Sequence, residues 1–165
     1  MKVVQLSSDA LPVPPRYGGA IETYIWNLSK VLVSKNIDVH IFSLGDKESS
    51  FTTQKIHYHT FNLSTLSKII RIPRLHTYKN LIYLLFKLNK IFITLSKGSC
   101  PSDVIHSHYP GTALIPIILR PFLKKIKLVL TVHGEYCQNI FDKLIISKYD
   151  KIIVVSNLIK KRVIK

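Results

Sequence analysis

The chain has 165 residues, of which 47% are hydrophobic, and 24 Lys and Arg against 9 Asp and Glu give it a formal net charge of +15. This length suits one domain with a sizeable core, and the composition excludes a disordered or fibrous protein. The longest apolar region, residues 81–95, is interrupted by polar residues and falls short of the roughly 18 apolar residues of a membrane span. Because the amino terminus lacks the pattern of a secretory signal, we expect a cytoplasmic protein.

The first elements predict a βαβ unit. Residues 2–7 have strand composition, residues 19–34 have apolar side chains at helical spacing, and residues 37–44 alternate as a strand. Residues 55–61 are predicted as a further strand, and residues 64–96 as helical segments broken near Pro73. The second half continues this alternation of strands and helices.

Strands are predicted at residues 104–107, 128–132 and 151–155, and helices at residues 112–124 and 141–147. Ser156 is placed to cap a last helix. Strands that alternate with helices at this spacing predict an α/β fold with a doubly wound parallel sheet and helices on both faces.

Four loops follow the carboxyl ends of the predicted strands, where ligands bind in such sheets. They are residues 8–19, 108–111, 133–137 and 156–157, and each carries glycine or polar residues. Together they predict one cleft.

The first of these loops contains Gly18 and Gly19, directly before the first helix. Glycines let the backbone approach a ligand closely, and the N–H groups and positive dipole end of the helix favour an anionic group. The loop therefore indicates a phosphorylated ligand. Taken alone, it is also compatible with a turn that merely lets helix and strand pack.

Four segments resemble the amino-terminal half of a glycosyltransferase of family 4. In chain order they are Tyr17-Gly18-Gly19-Ala20-Ile21-Glu22, Asp103-Val104-Ile105-His106-Ser107-His108, Thr131-Val132-His133-Gly134 and Tyr149-Asp150-Lys151-Ile152-Ile153-Val154-Val155-Ser156. The resemblance covers essentially the whole chain and implies the GT-B architecture, in which two Rossmann-like domains face each other across a cleft. Residues 1–165 would be the single amino-terminal, acceptor-side domain, without the carboxy-terminal nucleotide-sugar domain.

The resemblance also implies roles for individual residues. Gly18 and Gly19 would lie against a phosphate of the donor or acceptor, with Glu22 steadying their loop, although Gly-Gly-x-x-Glu is one residue longer than the commoner Gly-Gly-x-Glu. His133 would be the catalytic group that faces the reacting sugar. The acceptor pocket would be bordered by Asp9, Arg16, His108 and Tyr109, and the cleft edge by Gly134 and Ser156. The family retains anomeric configuration and uses a nucleotide sugar as a co-substrate. It typically works without a bound metal, so the resemblance implies no cofactor and no divalent-ion site.

Other polar residues are interpreted structurally. His106 lies inside a predicted strand, whereas His57, His59 and His76 show no ligand spacing and are expected at the surface. Asp103 and Asp150 each precede a strand, as turn residues do. Cys100 and Cys137 form no CxxC pair, which argues against structural zinc, and no base is evident beside Cys137.

The acid-free stretch between Ser49 and Ser102 is strongly basic. One hypothesis is peripheral association with an anionic membrane surface, since many family members act on lipid-linked acceptors; an ordinary helix with a solvated basic face is equally compatible. The residues concerned are Lys68, Arg71, Arg74, Lys79, Lys87 and Lys90. No nucleic-acid-binding motif accompanies the net charge, so nucleic acid is not an expected partner.

Two functions follow from the resemblance. The first is the acceptor-binding half of a retaining glycosyltransferase of hexosyltransferase type, which transfers a sugar from a nucleotide-sugar donor to a glycan or lipid-linked acceptor. The alternative is a stand-alone, non-catalytic module that binds an acceptor or recruits the catalytic subunit of a split glycosyltransferase. In either case we expect the 165 residues alone to be folded but inactive, because both walls of the cleft position and stabilise the reacting groups.

Overall fold

The computed structural model describes residues 1–8, 11–45, 49–62, 87–89, 91–93, 102–122, 125–134 and 140–164. The strands are β1 (Lys2–Leu6), β2 (Asp38–Leu44), β3 (Ser49–Thr53), β4 (Ile56–Phe61), β5 (Val104–Ser107), β6 (Lys127–Val132) and β7 (Lys151–Val154). The helices are α1 (Ala20–Ser34), α2 (Pro110–Leu119), α3 (Ile140–Ile146) and α4 (Asn157–Ile164), and a 3-10 turn (Arg120–Phe122) follows α2. No helix in these ranges is both long and apolar enough to cross a membrane.

The seven strands form one sheet in the order β3-β4-β2-β1-β5-β6-β7. All neighbouring pairs from β4 to β7 are parallel, and β1 lies in the middle with Val4 beside His40 of β2 and Ile105 of β5. This arrangement confirms the predicted α/β fold. It also places the carboxyl ends of β1, β5, β6 and β7 along one edge.

Apolar clusters lie on both faces of the sheet, because alternate residues of each strand point to opposite sides. On one face α1 contributes Ile25 to a cluster with Val39, Ile41 and Tyr58. The larger cluster on the other face contains residues of β1, β2, β4, β5 and β6 together with α2 and α3. Helices on both faces were predicted, and these clusters confirm them.

Most predicted bounds differ from the observed ones by a single residue, and one helix differs by more. The helix predicted from residue 112 to 124 begins at Pro110, where proline suits the first turn, and its α-helical part ends at Leu119. The predicted cap is present, since Ser156 Oγ accepts a hydrogen bond from Ile159 N at 3.3 Å. Lys55, predicted as the first residue of a strand, precedes β4 and lies in a turn.

That turn joins β4 to β3, a strand that sequence patterning missed. β3 pairs with β4 in the antiparallel sense, and all five of its residues are exposed, so it lacks the apolar alternation of a strand with one buried face. Gln54 and Lys55 form the two-residue connection with φ of 52° and 62°. Positive φ at both positions is typical of a type I′ hairpin turn, which usually carries Asn-Gly.

Replacing Lys55 with glycine is therefore expected to stabilise the fold by about 0.5–1 kcal/mol, because glycine adopts positive φ without the steric cost of a Cβ. Urea unfolding measures the change. Lys35→Gly is the matched control, since Lys35 has a φ of −94° and glycine there should destabilise. An equal loss of stability in both variants would contradict the prediction.

Asp103 and Asp150 have the structural role predicted for them. Asp103 Oδ2 accepts a hydrogen bond from Lys2 N at 2.7 Å, and Asp150 Oδ2 accepts one from Leu128 N at 2.8 Å. The latter bond is the main reason why the pKa of Asp150 lies below its ordinary value, helped by the Arg120 guanidinium. Each carboxylate thus holds the start of a neighbouring strand.

The predicted basic face can be checked only at Lys87. This residue is 1% exposed, and its Nζ lies 5.8 Å from the centroid of the Phe61 ring. A side chain buried to this extent is not presented to a membrane surface, so the hypothesis that Lys87 takes part in membrane association was wrong. Lys68, Arg71, Arg74, Lys79 and Lys90 lie outside the described residues.

Candidate functional site

A cavity of about 490 Å³ lies at the carboxyl edge of the parallel strands. Its walls come from the start of α1 and from the segments that follow β5, β6 and β7. The lining residues are Ala20, Ile21, His108, Tyr109, Leu130, Thr131, Val132, His133, Gly134 and Val155. The structure therefore brings together elements adjoining all four predicted loops.

The wall formed by α1 begins at a glycine pair with an unusual backbone. Gly18 and Gly19 have φ of 86° and 103°, a region that other residues rarely adopt. A Cβ on Gly19 would overlap the Glu22 carboxylate and lie 3.0 Å from Leu11 Cδ1, whereas a Cβ on Gly18 would meet open space. Gly19 is thus required for both its conformation and its size.

The first turn of α1 is the wall that can bind an anion. Gly19 is the N-cap, no side chain caps it, and the first bond of the helix runs from Thr23 N to Gly19 O. The N–H groups of Ala20 and Ile21 precede this bond, and both residues line the cavity. They lie at the positive end of a 15-residue helix, where phosphate groups are favoured.

Glu22 is 3% exposed and holds the loop rather than lining the cavity. Its Oε1 accepts a hydrogen bond from Ser8 Oγ, at the end of β1. This contact joins the segment after β1 to α1 across the glycine loop.

Two histidines that line the cavity form a chain with a buried glutamine. His108 Nε2 lies 2.6 Å from Gln5 Oε1, and because that oxygen only accepts, Nε2 carries the proton. His108 Nδ1 is then an acceptor, and His133 Nε2–H donates to it at 3.4 Å. The His133 tautomer therefore has an unprotonated Nδ1, which can accept a hydrogen bond from a ligand hydroxyl.

Burial favours the neutral form of these rings. It holds the pKa of His108 well below its ordinary value, and the neighbouring His106 and His133 act in the same direction. Burial also lowers the pKa of His133, although the Glu22 carboxylate partly opposes this shift. The edge of Tyr24 packs on His133 with ring centroids 5.0 Å apart and fixes the ring from the side.

His106 has the structural role predicted for it. Its Nε2 lies 2.7 Å from Thr131 Oγ1, and its ring centroid is 4.0 Å from that of His108. Burial lowers the pKa of His106 to about 4. The residue thus supports the ring that in turn orients His133.

The predicted site residues do not all meet in this cavity. His108, Tyr109, His133 and Gly134 line it, but Arg16 lines a separate cavity of about 280 Å³. That second cavity lies beside the β3–β4 hairpin, with Pro12, Phe51 and Thr60 among its walls. Ser156 is exposed and caps α4, whereas Asp9, Cys137 and His76 lie outside the described residues. His57 and His59, expected at the surface, are half-buried on one face of the sheet.

Sequence reasoning missed Gln5, Ser8 and Tyr24. Gln5 stands within the strand run Val3-Val4-Gln5-Leu6, and a fully buried amide among apolar residues is a signal of a polar network. Tyr24 was assigned only to the apolar face of α1. Its contact with His133 joins α1 to the segment that follows β6 and has no local signal in the sequence.

Comparisons with known proteins agree with this architecture. In solved structures, sucrose-phosphate synthase from Thermosynechococcus elongatus matches with a TM-score of 0.65 at 16% identity, covering 97% of this chain and 43% of that one. An E. coli trehalose-6-phosphate structure bound with UDP-2-fluoro glucose matches with a TM-score of 0.62 at 12% identity, covering 99% of this chain and 42% of that one. These likenesses support the GT-B fold.

Sequence comparison identifies the family. The chain is 30% identical over 155 residues to the glycogen synthase of Chlorobium phaeobacteroides, a match that covers 85% of this chain and 32% of that protein. The chain thus spans less than half of the length of each of these relatives. The family model described as Glycosyltransferase Family 4 matches residues 17–165. Because this match covers nearly the whole sequence, the chain belongs to glycosyltransferase family 4.

Proposed function

We propose that the chain forms the acceptor-binding half of a retaining glycosyltransferase, which transfers a sugar from a nucleotide-sugar donor to a glycan or lipid-linked acceptor. The observation that carries the proposal is the 490 Å³ cavity in which the first turn of α1 faces His133. Family membership supports the reaction type. The related structure bound with UDP-2-fluoro glucose supports a nucleotide sugar as donor.

The first turn of α1 is proposed to bind a phosphate of the donor or of the acceptor. Negative charge develops on the leaving phosphate during sugar transfer, and N–H groups fixed in advance stabilise such charge without rearranging. The described lining offers amide donors and imidazoles but no carboxylate, so we expect these groups to stabilise the phosphate without a divalent ion.

His133 is proposed to position the reacting sugar. Its Nδ1 can accept a hydrogen bond from a sugar hydroxyl, because His108 and Gln5 fix the tautomer from behind. The apolar side chains of Leu130, Val132 and Val155 line the same cavity, and an apolar lining strengthens polar contacts to a ligand that displaces the water.

The opposite wall of the cleft would come from a second domain, either of the same polypeptide or of a separate subunit. That domain would hold the nucleotide and part of the sugar. We also propose that the transferase acts at the cytoplasmic face of a membrane when its acceptor is linked to a lipid.

The test is a transfer assay on the native polypeptide, isolated from its source cells, with a panel of labelled nucleotide sugars and glycan or lipid-linked acceptors. Transfer with retained configuration is expected, and His133→Gln should lower kcat by about 100-fold because a group that acts in the transition state is lost. Lys35→Gln, at the far end of α1, is the control and should match the wild type.

Two outcomes would overturn the proposal. One is a lack of transfer with every nucleotide sugar, combined with a native mass near 18.9 kDa and binding of a glycan, which would establish the non-catalytic module. The other is full activity in His133→Gln. Turnover by the 165 residues alone would contradict the narrower claim that half a cleft is inactive.

A further inference from the structure

Three side chains with metal-ligating atoms lie at the opposite end of the sheet from the cavity. Asp38 is the first residue of β2, His40 follows two residues later, and His57 stands beside His40 on β4. Because alternate residues point to the same side of a strand, all three share one face. Their ligand atoms all lie within 4.8 Å of one another.

The separations fit a tetrahedral ion. Asp38 Oδ1 lies 3.2 Å from His57 Nε2, and Asp38 Oδ2 lies 3.5 Å from His40 Nε2. Zinc binds imidazole nitrogen and carboxylate oxygen at about 2.0–2.2 Å, which places two tetrahedral ligands about 3.3–3.5 Å apart. Each imidazole therefore lies at ligand spacing from one oxygen of the carboxylate, and the three ligand atoms lie within 4.8 Å of one another.

A second layer of hydrogen bonds orients both imidazoles. Thr52 Oγ1 lies 2.9 Å from His57 Nδ1, and His59 Nε2 lies 3.0 Å from His40 Nδ1. His59 Nδ1 in turn lies 3.1 Å from Ser50 Oγ. With the protons on the Nδ1 atoms, every one of these contacts is satisfied, and the Nε2 atoms of His40 and His57 are left unprotonated beside Asp38. Metal-bound histidines are usually held by such partners on the other ring nitrogen. The two rings are stacked with their planes 20° apart, so they must rotate to bind one ion in both ring planes.

The site is open to ions on one side. The side chains of Asp38 and His57 are 42% and 38% exposed, whereas that of His40 is 15% exposed. Water can reach the fourth position of a tetrahedral ion.

We propose that Asp38, His40 and His57 form a binding site for a divalent transition-metal ion, of which Zn²⁺ is the best fit. Two imidazoles and one carboxylate suit this class better than Mg²⁺ or Ca²⁺, which prefer oxygen ligands. The ion would tie β2 to β4 and, through Thr52 and His59, to the β3–β4 hairpin. This proposal departs from the expectation that no divalent ion is bound. Because the site lies at the amino ends of the strands, it is separate from the proposed transfer chemistry.

The test measures Zn²⁺ affinity by competition with a chromophoric chelator, on the chain with Cys100 and Cys137 replaced by serine so that thiols do not compete. One ion per chain is expected. His57→Gln and Asp38→Asn should each weaken binding at least about tenfold, and the thermal midpoint should rise with Zn²⁺ only where the three ligands are intact. His133→Gln, in the other histidine cluster, is the matched control and should bind as the parent does.

Histidine ring ¹⁵N NMR of the parent chain provides a readout that needs no ligand variant. On addition of Zn²⁺ the Nε2 signals of His40 and His57 should shift, while those of His106 and His108 stay in place. Unchanged affinity in His57→Gln, equal loss in His133→Gln, or shifts confined to the cavity histidines would each overturn the proposal.

Discussion

Replacing Gly19 with alanine is expected to destabilise the chain by about 3–5 kcal/mol, whereas Gly18→Ala should cost only about 1–2 kcal/mol. Both glycines have positive φ, so both variants carry the strain of a left-handed backbone. Only at Gly19 does the added methyl group also overlap the buried Glu22 carboxylate. Glu22 would have to move, and its hydrogen bond with Ser8 would be lost.

Urea unfolding at pH 7 measures both free energies, and the pair separates steric overlap from backbone strain. A double variant with Glu22→Ala should recover part of the Gly19→Ala loss, because it removes the overlapping atoms. An equal loss of unfolding free energy in Gly18→Ala and Gly19→Ala would mean that the loop moves freely away from Glu22. The proposal that Glu22 supports the loop would then be wrong. If the loop binds phosphate, Gly19→Ala should also reduce transfer by the native polypeptide more than Gly18→Ala does.

The parallel part of the sheet was predictable because its strands carry their own apolar patterns. Ile37-Asp38-Val39-His40-Ile41 alternates, and the burial of Val39 and Ile41 follows from that pattern alone. β3 was not predictable in this way, since its pairing depends on backbone bonds to β4 and on a turn without Asn or Gly. Because an exposed edge strand buries neither face, its sequence does not show apolar alternation.

The position of the cavity was predictable for a similar reason. Ligands bind at the carboxyl ends of parallel strands, so the order of the elements already located His108, His133 and Gly134. The hydrogen bond between Gln5 and His108 could not be predicted from the sequence. The two residues are separated by 103 positions and meet only through the pairing of β1 with β5. Asp38, His40 and His57 were missed as a set for the same reason, since the register of β2 on β4 creates their spacing.

The distinction between the two cavities depends on the long first loop. Arg16 was expected in the pocket with His108, but it lines the same cavity as Phe51 of the unpredicted strand β3. A residue in a loop of this length has no periodicity that fixes its direction. The error at Lys87 is related, because a charge in an apolar stretch was taken as solvated, whereas the side chain is buried near Phe61.

Acidification is expected to destabilise this fold strongly between pH 6.5 and pH 4. Burial lowers the pKa of His106 from 6.5 to about 4, so in this interval the unfolded chain binds a proton that the folded chain does not. The free energy of unfolding therefore decreases as the pH falls, by about 3 kcal/mol from His106 alone. His108 acts in the same direction because its pKa is also held well below 6.5. Since domains are usually stable by only about 5–15 kcal/mol, unfolding is expected at mildly acidic pH.

His106→Gln isolates this contribution, because glutamine keeps a hydrogen-bonding group near Thr131 but does not titrate. The variant should be less stable than the wild type at pH 7, where a well-packed neutral imidazole is lost, and the difference should shrink by about 3 kcal/mol by pH 4. Urea unfolding at pH 7, 5.5 and 4.5 follows this convergence, with Lys35→Gln as a control that should parallel the wild type. If the His106→Gln curve instead runs parallel to that of the wild type, His106 takes up its proton in the folded state, and its structural role as a buried neutral ring beside His108 is wrong.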